Sequence, residues 1–546
     1  MVTDWLSNSR KLGKYLLVLA LASWVGCGDR IPNADQAVEQ GILLKGNGAE
    51  PRTLDPQKAT GVTENKVISA LIEGLVTYHP TDDNEAEPGV AESWEANEDS
   101  SVWTFHLRDN ARWSNGDPVT AHDFVYSYQR MLTPELAAEY VNMLFIIENA
   151  EAFNRGTVSD FSEVGVEALD DHTLRIQLVG PTPYFLGILQ HYAWSPVHQP
   201  TIEAHGGMTD QSGTWTLPGN FVGNGPFILS EWRPNQLLRV ERNPYYWDAE
   251  RVALNGIIFF PISDDNTERR MFDSGQLHVT NTVRSNDIPN LRRTQPERLR
   301  MDPYLATYYY RFNTTRPPLD DVRVRRALAL AVNRQRLVER VTMGDQSPAY
   351  AYVPPAFDGY ENQTSLRHDP ERARELLAEA GFPGGEGFPR LNLLFNTLED
   401  HRKVAEAIVS MWNEELGIGM QLENKEWMVY LADQSQLNFD VARAGWVGDY
   451  LDPMTFLDMF VTDGGNNNTG WSNAEYDELI QRAQRSRTQE EHYQLLMDAE
   501  RILMDEVPIA PLYWYTRIYL IDPRVKGWEP KALDNRPYKY VSLEAE

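Results

Sequence analysis

From Val102 to Leu107 the chain alternates with a period of two, placing Trp103, Phe105 and Leu107 on one face. After the turn Asn115-Gly116-Asp117-Pro118 the period lengthens. Thr120 and Asp123 form a capping-box pattern, and Phe124, Val125, Tyr128 and Leu132 fall on the inner side of a helix. This switch between periods recurs along the chain and confines it to a mixed α/β architecture. Leu174, Ile176 and Leu178 alternate in another strand. Asp320 or Asp321 caps a helix expected to run through Leu337, and Asp369-Pro370 opens one that Gly381 closes. Ser472…Glu475 and Thr488…Glu491 begin two late helices, and Leu512–Leu520 reads as a strand. Gly- and Pro-rich breaks fall at Gly206–Gly225 and Pro383–Pro389, with no internal repeat or low-complexity tract.

A chain of 546 residues is too long for one small core and predicts two to four domains. Its N-terminus reads as a targeting segment (1-26). Arg10, Lys11 and Lys14 precede the eleven-residue run Tyr15–Val25, which suits a signal-peptide core and is short for a membrane span. Cys27, the single cysteine, follows in Val25-Gly26-Cys27-Gly28. This junction resembles a bacterial lipobox, in which the cysteine is lipidated, although Trp24 stands where Leu is usual. Cleavage nearby by ordinary signal peptidase is the other reading. One cysteine excludes an intramolecular disulfide. No later stretch is long and apolar enough to span a bilayer, so the mature body is expected outside the cytoplasm, tethered at most by a lipid. Net charge is −29, and from Cys27 onward 47 basic residues face 78 acidic ones, or −31. Such a surface disfavours nucleic acid and anionic membranes, and its field favours neutral or basic ligands.

Enzyme signatures are missing: there is no His-Glu-x-x-His, Gly-x-Ser-x-Gly, phosphate loop or dinucleotide fingerprint. Gly46-Asn-Gly48 and Gly223-Asn-Gly225 read as turns. His191, His198 and His205 recur every seven residues, but Pro196 and Pro200 argue against one helix aligning them on a metal. Nothing in the residues calls for catalysis, a cofactor or a metal.

Binding chemistry fits better. Phe439-Asp-Val-Ala-Arg443-Ala-Gly445-Trp446-Val-Gly-Asp449-Tyr450-Leu-Asp-Pro453 opens as an apolar strand and continues into a glycine-punctuated turn. A carboxylate beside an indole can seat a ligand ammonium; an ordinary loop with a surface Asp and a core Trp is the plainer alternative. The stretch resembles the ligand-anchoring segment of the periplasmic oligopeptide-binding proteins that feed ABC importers (extracellular solute-binding protein family 5). The likeness extends through Trp103–Arg108, Trp113–Phe124, Arg242–Trp247, Asp302–Tyr310 and Asp321–Ala327, in the family's order from about residue 42 to the C-terminus.

The resemblance implies a periplasmic-binding-protein type II fold, a three-lobed venus-flytrap with mixed sheets. A base lobe would comprise 28-72, 198-305 and 515-546. An inserted lobe would span 73-197, and the second ligand-clamping lobe 306-514. Between base and clamping lobes a cleft would close by hinge bending. Asp449 matches the family position that pairs with a peptide ammonium. Gly445, Trp446 and Arg443 supply neighbouring backbone and walls, and Tyr140 lies near the same end. His401 and Arg443 match positions used towards the carboxylate, Trp427 and Val62 match pocket positions, and Thr60 and Asn396 sit in the cleft. Enteric members carry a cysteine pair at the positions of Ala306 and Val447, and Lys, Glu and Arg at those of Thr342, Arg311 and Gln434. The implied function is an extracytoplasmic, monomeric oligopeptide receptor delivering its ligand to ABC permease subunits. A same-fold receptor for dipeptides, murein peptides, a nickel chelate or an oligosaccharide, a cleft hydrolase, and a non-transport lipoprotein are the rivals.

Overall fold

A computed structural model describes residues 31–545, so the targeting segment and Cys27 lie outside the described residues. After β1 (Ile42–Gly46) and the helix Val62–Leu71, the chain makes a small hairpin, β2 (Val76–Tyr78) and β3 (Ala86–Pro88). It then builds a separate antiparallel sheet from β4 (Ala91–Ala96), β5 (Val102–Leu107), β6 (Val166–Asp170) and β7 (Thr173–Gln177), in the order β4-β5-β7-β6. On β5 the predicted face is buried, and Trp103 and Phe105 pack on Phe185. The helix Ala121–Leu132 covers this sheet. Its start is fixed as expected, the Asp123 carboxylate accepting from the Thr120 backbone N–H at 2.7 Å.

The chain returns to β1 with β8 (Phe227–Arg233), β9 (Leu237–Arg242) and β10 (Gly256–Phe260), forming the sheet β1-β10-β9-β8 with β1 and β10 parallel. Every residue of β10 is buried, as befits a strand covered on both faces. A third sheet joins β11 (Leu299–Phe312), β12 (Ser347–Pro348), β13 (Leu391–Asn396), β14 (Met420–Lys425), β15 (Val441–Val447) and β16 (Ile509–Leu520), in the order β12-β16-β11-β15-β13-β14.

Two long strands connect these parts. β11 and β16 pair antiparallel from Leu299↔Leu520 to Arg311↔Ile509, with a register break between Pro303 and Thr307. Beyond Leu520, Ile521 bridges Val279, which bridges Lys45 of β1, so the far end of the ladder reaches the first sheet. On β16 the break lies opposite Thr516 and Trp514.

Two helix boundaries differ from expectation. The helix capped by Asp321 stops at Leu330, and a second begins at Arg334. Asn333 caps the second helix, and the buried Arg334 guanidinium donates to the carbonyls of Ala329, Val332 and Pro511, taking up the end of the first. Asn473, not Ser472, caps the helix Ala474–Gln484, its side chain accepting from two backbone N–H groups. The Asp369 and Thr488 caps and the left-handed Gly381 stand as predicted.

Candidate functional site

β15 runs through the middle of the third sheet and ends in the turn at Gly448-Asp449. On one side it pairs with β11 along its whole length, from Val441↔Phe312 to Val447↔Ala306. On the other side β13 pairs only with Val441 and Ala442 and then diverges. Residues 443–447 therefore carry a strand edge facing a cleft. The Arg443 carbonyl accepts from the Tyr430 hydroxyl on this side, at 2.6 Å. By strand alternation, the backbone groups of Gly445 and Val447 face the cleft as well.

The cleft consists of two connected chambers, with about 1120 and 1510 Å³ of empty space, their open mouths included. Thr60, Val62, Tyr140, Trp427, Arg443, Gly445, Trp446 and Asp449 line the first; Asn396 and His401 line the second, with Val62, Trp427, Arg443 and Gly445 shared. All ten positions singled out from sequence thus surround one cavity, although they come from widely separated parts of the chain.

Asp449 closes the first chamber. Its backbone N–H donates to Thr455 Oγ1 at 2.9 Å, and the Thr455 carbonyl accepts from Trp446 Nε1 at 2.6 Å, so one threonine holds both residues. Trp446 is accordingly a buried packing residue as well as a wall. Tyr140 donates to Asp449 Oδ1 at 3.3 Å, and its ring lies 6.1 Å from that of Trp446. His191 Nε2 sits 3.4 Å from the same oxygen. Its Nδ1 accepts from the Ala193 backbone N–H, which leaves the ring proton on Nε2, the nitrogen nearer Asp449. Burial lowers His191 to about 3, so the imidazole is neutral. Burial, aided by the nearby Asp458, pushes the Asp449 carboxyl well above its usual range, against the Tyr140 hydroxyl. Among the described residues no Lys or Arg lies within ion-pair distance of Asp449.

At the other end Arg443 donates from Nη2 to the Tyr515 hydroxyl at 2.6 Å and from Nη1 to Asn396 Oδ1 at 3.3 Å. Its guanidinium lies 4.9 Å from the centroid of the Tyr308 ring. His401 meets Tyr308 at 3.4 Å and is held neutral by burial and by Arg443. Across the cleft Val62 is 38% exposed, and Trp427 stacks on Tyr430 at 5.6 Å.

Sequence reasoning missed His191 as a partner of Asp449, Thr455, Tyr515, and the Arg52–Glu139 pair at 2.7 Å on the chamber wall. His198 bonds Thr201 and Asp117, and His205 bonds the Thr201 carbonyl, so the seven-residue histidine spacing serves separate local contacts. Among the described residues no cluster of metal-ligating side chains occurs, and no helix is long and apolar enough to cross a membrane.

Residues 85–468 match the profile of the bacterial extracellular solute-binding proteins, family 5. The chain belongs to this family. Among family 5 proteins it is 39% identical to the periplasmic oligopeptide-binding protein OppA of Salmonella typhimurium, over 95% of this chain and 96% of that protein. Its fold matches that of Haemophilus influenzae OppA in complex with the peptide RPPGFSPFR, with a TM-score of 0.87 at 33% identity, over 92% of this chain and 99% of the other. The Escherichia coli murein tripeptide binding protein MppA gives 0.87 at 36% identity, over 92% and 98% of the two chains. Its unliganded open form gives only 0.61 over the same shares. The present structure is thus nearer to the first MppA form than to the unliganded open one.

Proposed function

We propose that this family 5 protein is the extracytoplasmic oligopeptide receptor of an ABC importer, holding an extended peptide between its lobes. The observation that carries this reading is the one-sided pairing of β15. Gly445 and Val447 offer backbone groups to the cleft, as an edge strand does to an added strand, and this recognises a peptide of any sequence. Asp449 stands where that strand ends and would receive the α-ammonium, with Tyr140 and His191 as neutral neighbours and Trp446 as wall. Arg443, with Tyr515, Asn396 and neutral His401, would take the carboxylate end. Trp427, Val62 and Thr60 bound the space for side chains. A sugar would leave Asp449 without its charge partner, which favours a ligand with a free amine.

The assignment of lobes to 28–72, 198–305 and 515–546, to 73–197 and to 306–514 rests on the three sheets and the β11–β16 crossing. Delivery to membrane permease subunits, a monomeric state, the absence of catalysis, and lipid tethering through Cys27 after removal of residues 1–26 belong to the same reading. Native mass spectrometry of freshly purified protein tests it. Peptide masses should leave on mild unfolding, and the refolded, stripped protein should take up tripeptides intact. Failure of a diverse peptide mixture to bind at millimolar concentration, or cleavage of bound peptide, defeats the receptor reading.

A further inference from the structure

The cleft walls are not charged like the outer surface. Beside Asp449, the first chamber presents a second ionised group without a counter-charge, Arg311 on β11. Arg311 is 5% exposed, and among the described residues no carboxylate lies within ion-pair distance of it. Its guanidinium leans only on neutral groups: Nη1 donates to Gln434 Oε1, and Nη2 donates to the Tyr309 hydroxyl at 3.1 Å. Gln434, on the facing helix Trp427–Ser435, is 4% exposed. Arg311 Nε and Gln434 Nε2 both lack an acceptor. A buried guanidinium without a carboxylate is costly unless something else supplies the charge, and two adjacent buried N–H groups without acceptors add to that cost.

Arg443 points the same way, having no carboxylate partner among the described residues, whereas burial and then Arg517 bring Lys66, which borders both chambers, down to about 7, so that it adds little charge. Arg52 and Arg517 are instead neutralised, by Glu139 and Asp534. Two guanidinium groups without a carboxylate partner among the described residues, Arg311 and Arg443, therefore share the cleft with the buried carboxyl of Asp449. A ligand complementary to this set carries one ammonium and more than one carboxylate.

We infer that Arg311 and Gln434 form a subsite that reads a carboxylate on a side chain near the N-terminus of the peptide, so that this receptor prefers acidic peptides over neutral and basic ones. The inference deepens the oligopeptide reading and rests on it. It opposes what the overall charge of −29 implies about ligand choice, because the long-range field acts on approach while unpaired groups inside the closed cleft act on the bound state. The guanidinium presents a planar fork that suits a carboxylate, and the Gln434 amide can turn its Nε2–H to the same oxygen.

The test is calorimetry on ligand-stripped protein with Ala-Ala-Ala and with tripeptides placing Glu, Gln or Lys in turn at each position. At one of the first three positions Glu should bind at least tenfold tighter than Gln, and Lys weaker than Gln. In R311M the Glu-to-Gln ratio at that position should fall below threefold, while R311K should keep it above threefold. Equal affinities for Glu and Gln at every position in the wild type overturn the inference even if R311M fails to fold, and leave the peptide receptor standing if Ala-Ala-Ala binds. Binding of none of the peptides removes the receptor reading instead. Ala-Ala and Ala-Ala-amide form a second arm, since a dipeptide's own α-carboxylate could reach Arg311. A loss confined to Ala-Ala in R311M, with a flat Glu-to-Gln ratio, assigns Arg311 to short-peptide termini and overturns the side-chain subsite.

Discussion

His191 Nε2 lies 3.4 Å from Asp449 Oδ1, a contact between a carboxyl group and an imidazole that burial keeps neutral. A neutral imidazole supplies no charge, so Asp449 must find its counter-charge elsewhere. Desolvation raises the Asp449 carboxyl, so its anionic form is complete only above that raised pKa and is lost as pH falls through it. A peptide ammonium needs the anion. Affinity for a free-amine peptide should therefore fall as the buffer is taken from pH 7.5 to 5, by at most tenfold per unit, while an N-acetylated peptide shows no such slope. Calorimetry across that range decides; parallel curves for the two peptides would remove Asp449 from the binding equilibrium.

Ala306 and Val447 stand directly opposite each other on β11 and β15. Residues so paired bring their Cβ atoms to about 4.5–5.5 Å, near enough for a disulfide with small adjustment. Replacing both by cysteine should give an oxidised, stapled variant, with typical stabilisation of about 2–4 kcal/mol over its reduced form. Thiol counting and denaturant unfolding, with and without reductant, check this. Persistent free thiols at 306 and 447 would show that the register is wrong.

Gly61 and Gly445 border the cleft where side chains have no room. A Cβ on Gly445 would stand 2.9 Å from the Tyr515 hydroxyl and 3.0 Å from Arg443 Nη2, displacing the pair that faces the carboxylate end. A Cβ on Gly61 would run into the Glu64 carboxylate and meet the Trp427 ring, across the cleft, at 3.2 Å. G445V should weaken tripeptide binding by tenfold or more with little change in melting temperature, because its obstruction lies in the cavity. G61A should hinder closure, seen by small-angle scattering as a smaller decrease in radius of gyration on adding peptide. Wild-type binding and compaction in both variants would argue against a tightly closed cleft.

The legible parts were those carried by local chemistry. The Thr120–Asp123 cap, the Asp369-Pro370 start and the alternation of β5 are decided within a few residues and appear as predicted. The strand-and-turn holding Arg443, Gly445, Trp446 and Asp449 was legible for the same reason, and resemblance supplied its distant partners such as Tyr140. What escaped depends on tertiary contact. The helix expected to reach Leu337 breaks because Arg334 finds the Pro511 carbonyl, 177 positions away, at 2.7 Å. The seven-residue spacing of His191 says nothing of its neighbour, whereas folding brings it 3.4 Å from Asp449. The lack of counter-charge on Arg311 follows only from knowing what surrounds it.

The anchor itself admits a stricter test. If Asp449 pairs with the peptide ammonium in the closed cleft, both charges leave water together. Removing one partner of such a pair costs about 2–5 kcal/mol, part of which is the penalty of stranding the other charge. At roughly 1.4 kcal/mol per decade, Asp449→Asn should weaken binding by about 30-fold to a few thousand-fold. N-acetylation of the peptide should cost the wild type a similar factor, because it deletes the same charge from the other side. The variant with the acetylated peptide should lose far less than the product of the two factors, since no charge is then left alone. Tyr140 sharpens the expectation: it remains able to donate to the oxygen of the introduced amide, so the substitution leaves its hydrogen bond in place and isolates the charge. Calorimetry on the four combinations measures the coupling. Losses that simply multiply would mean the ammonium sits elsewhere, and the case for a free-amine ligand would fall with that result.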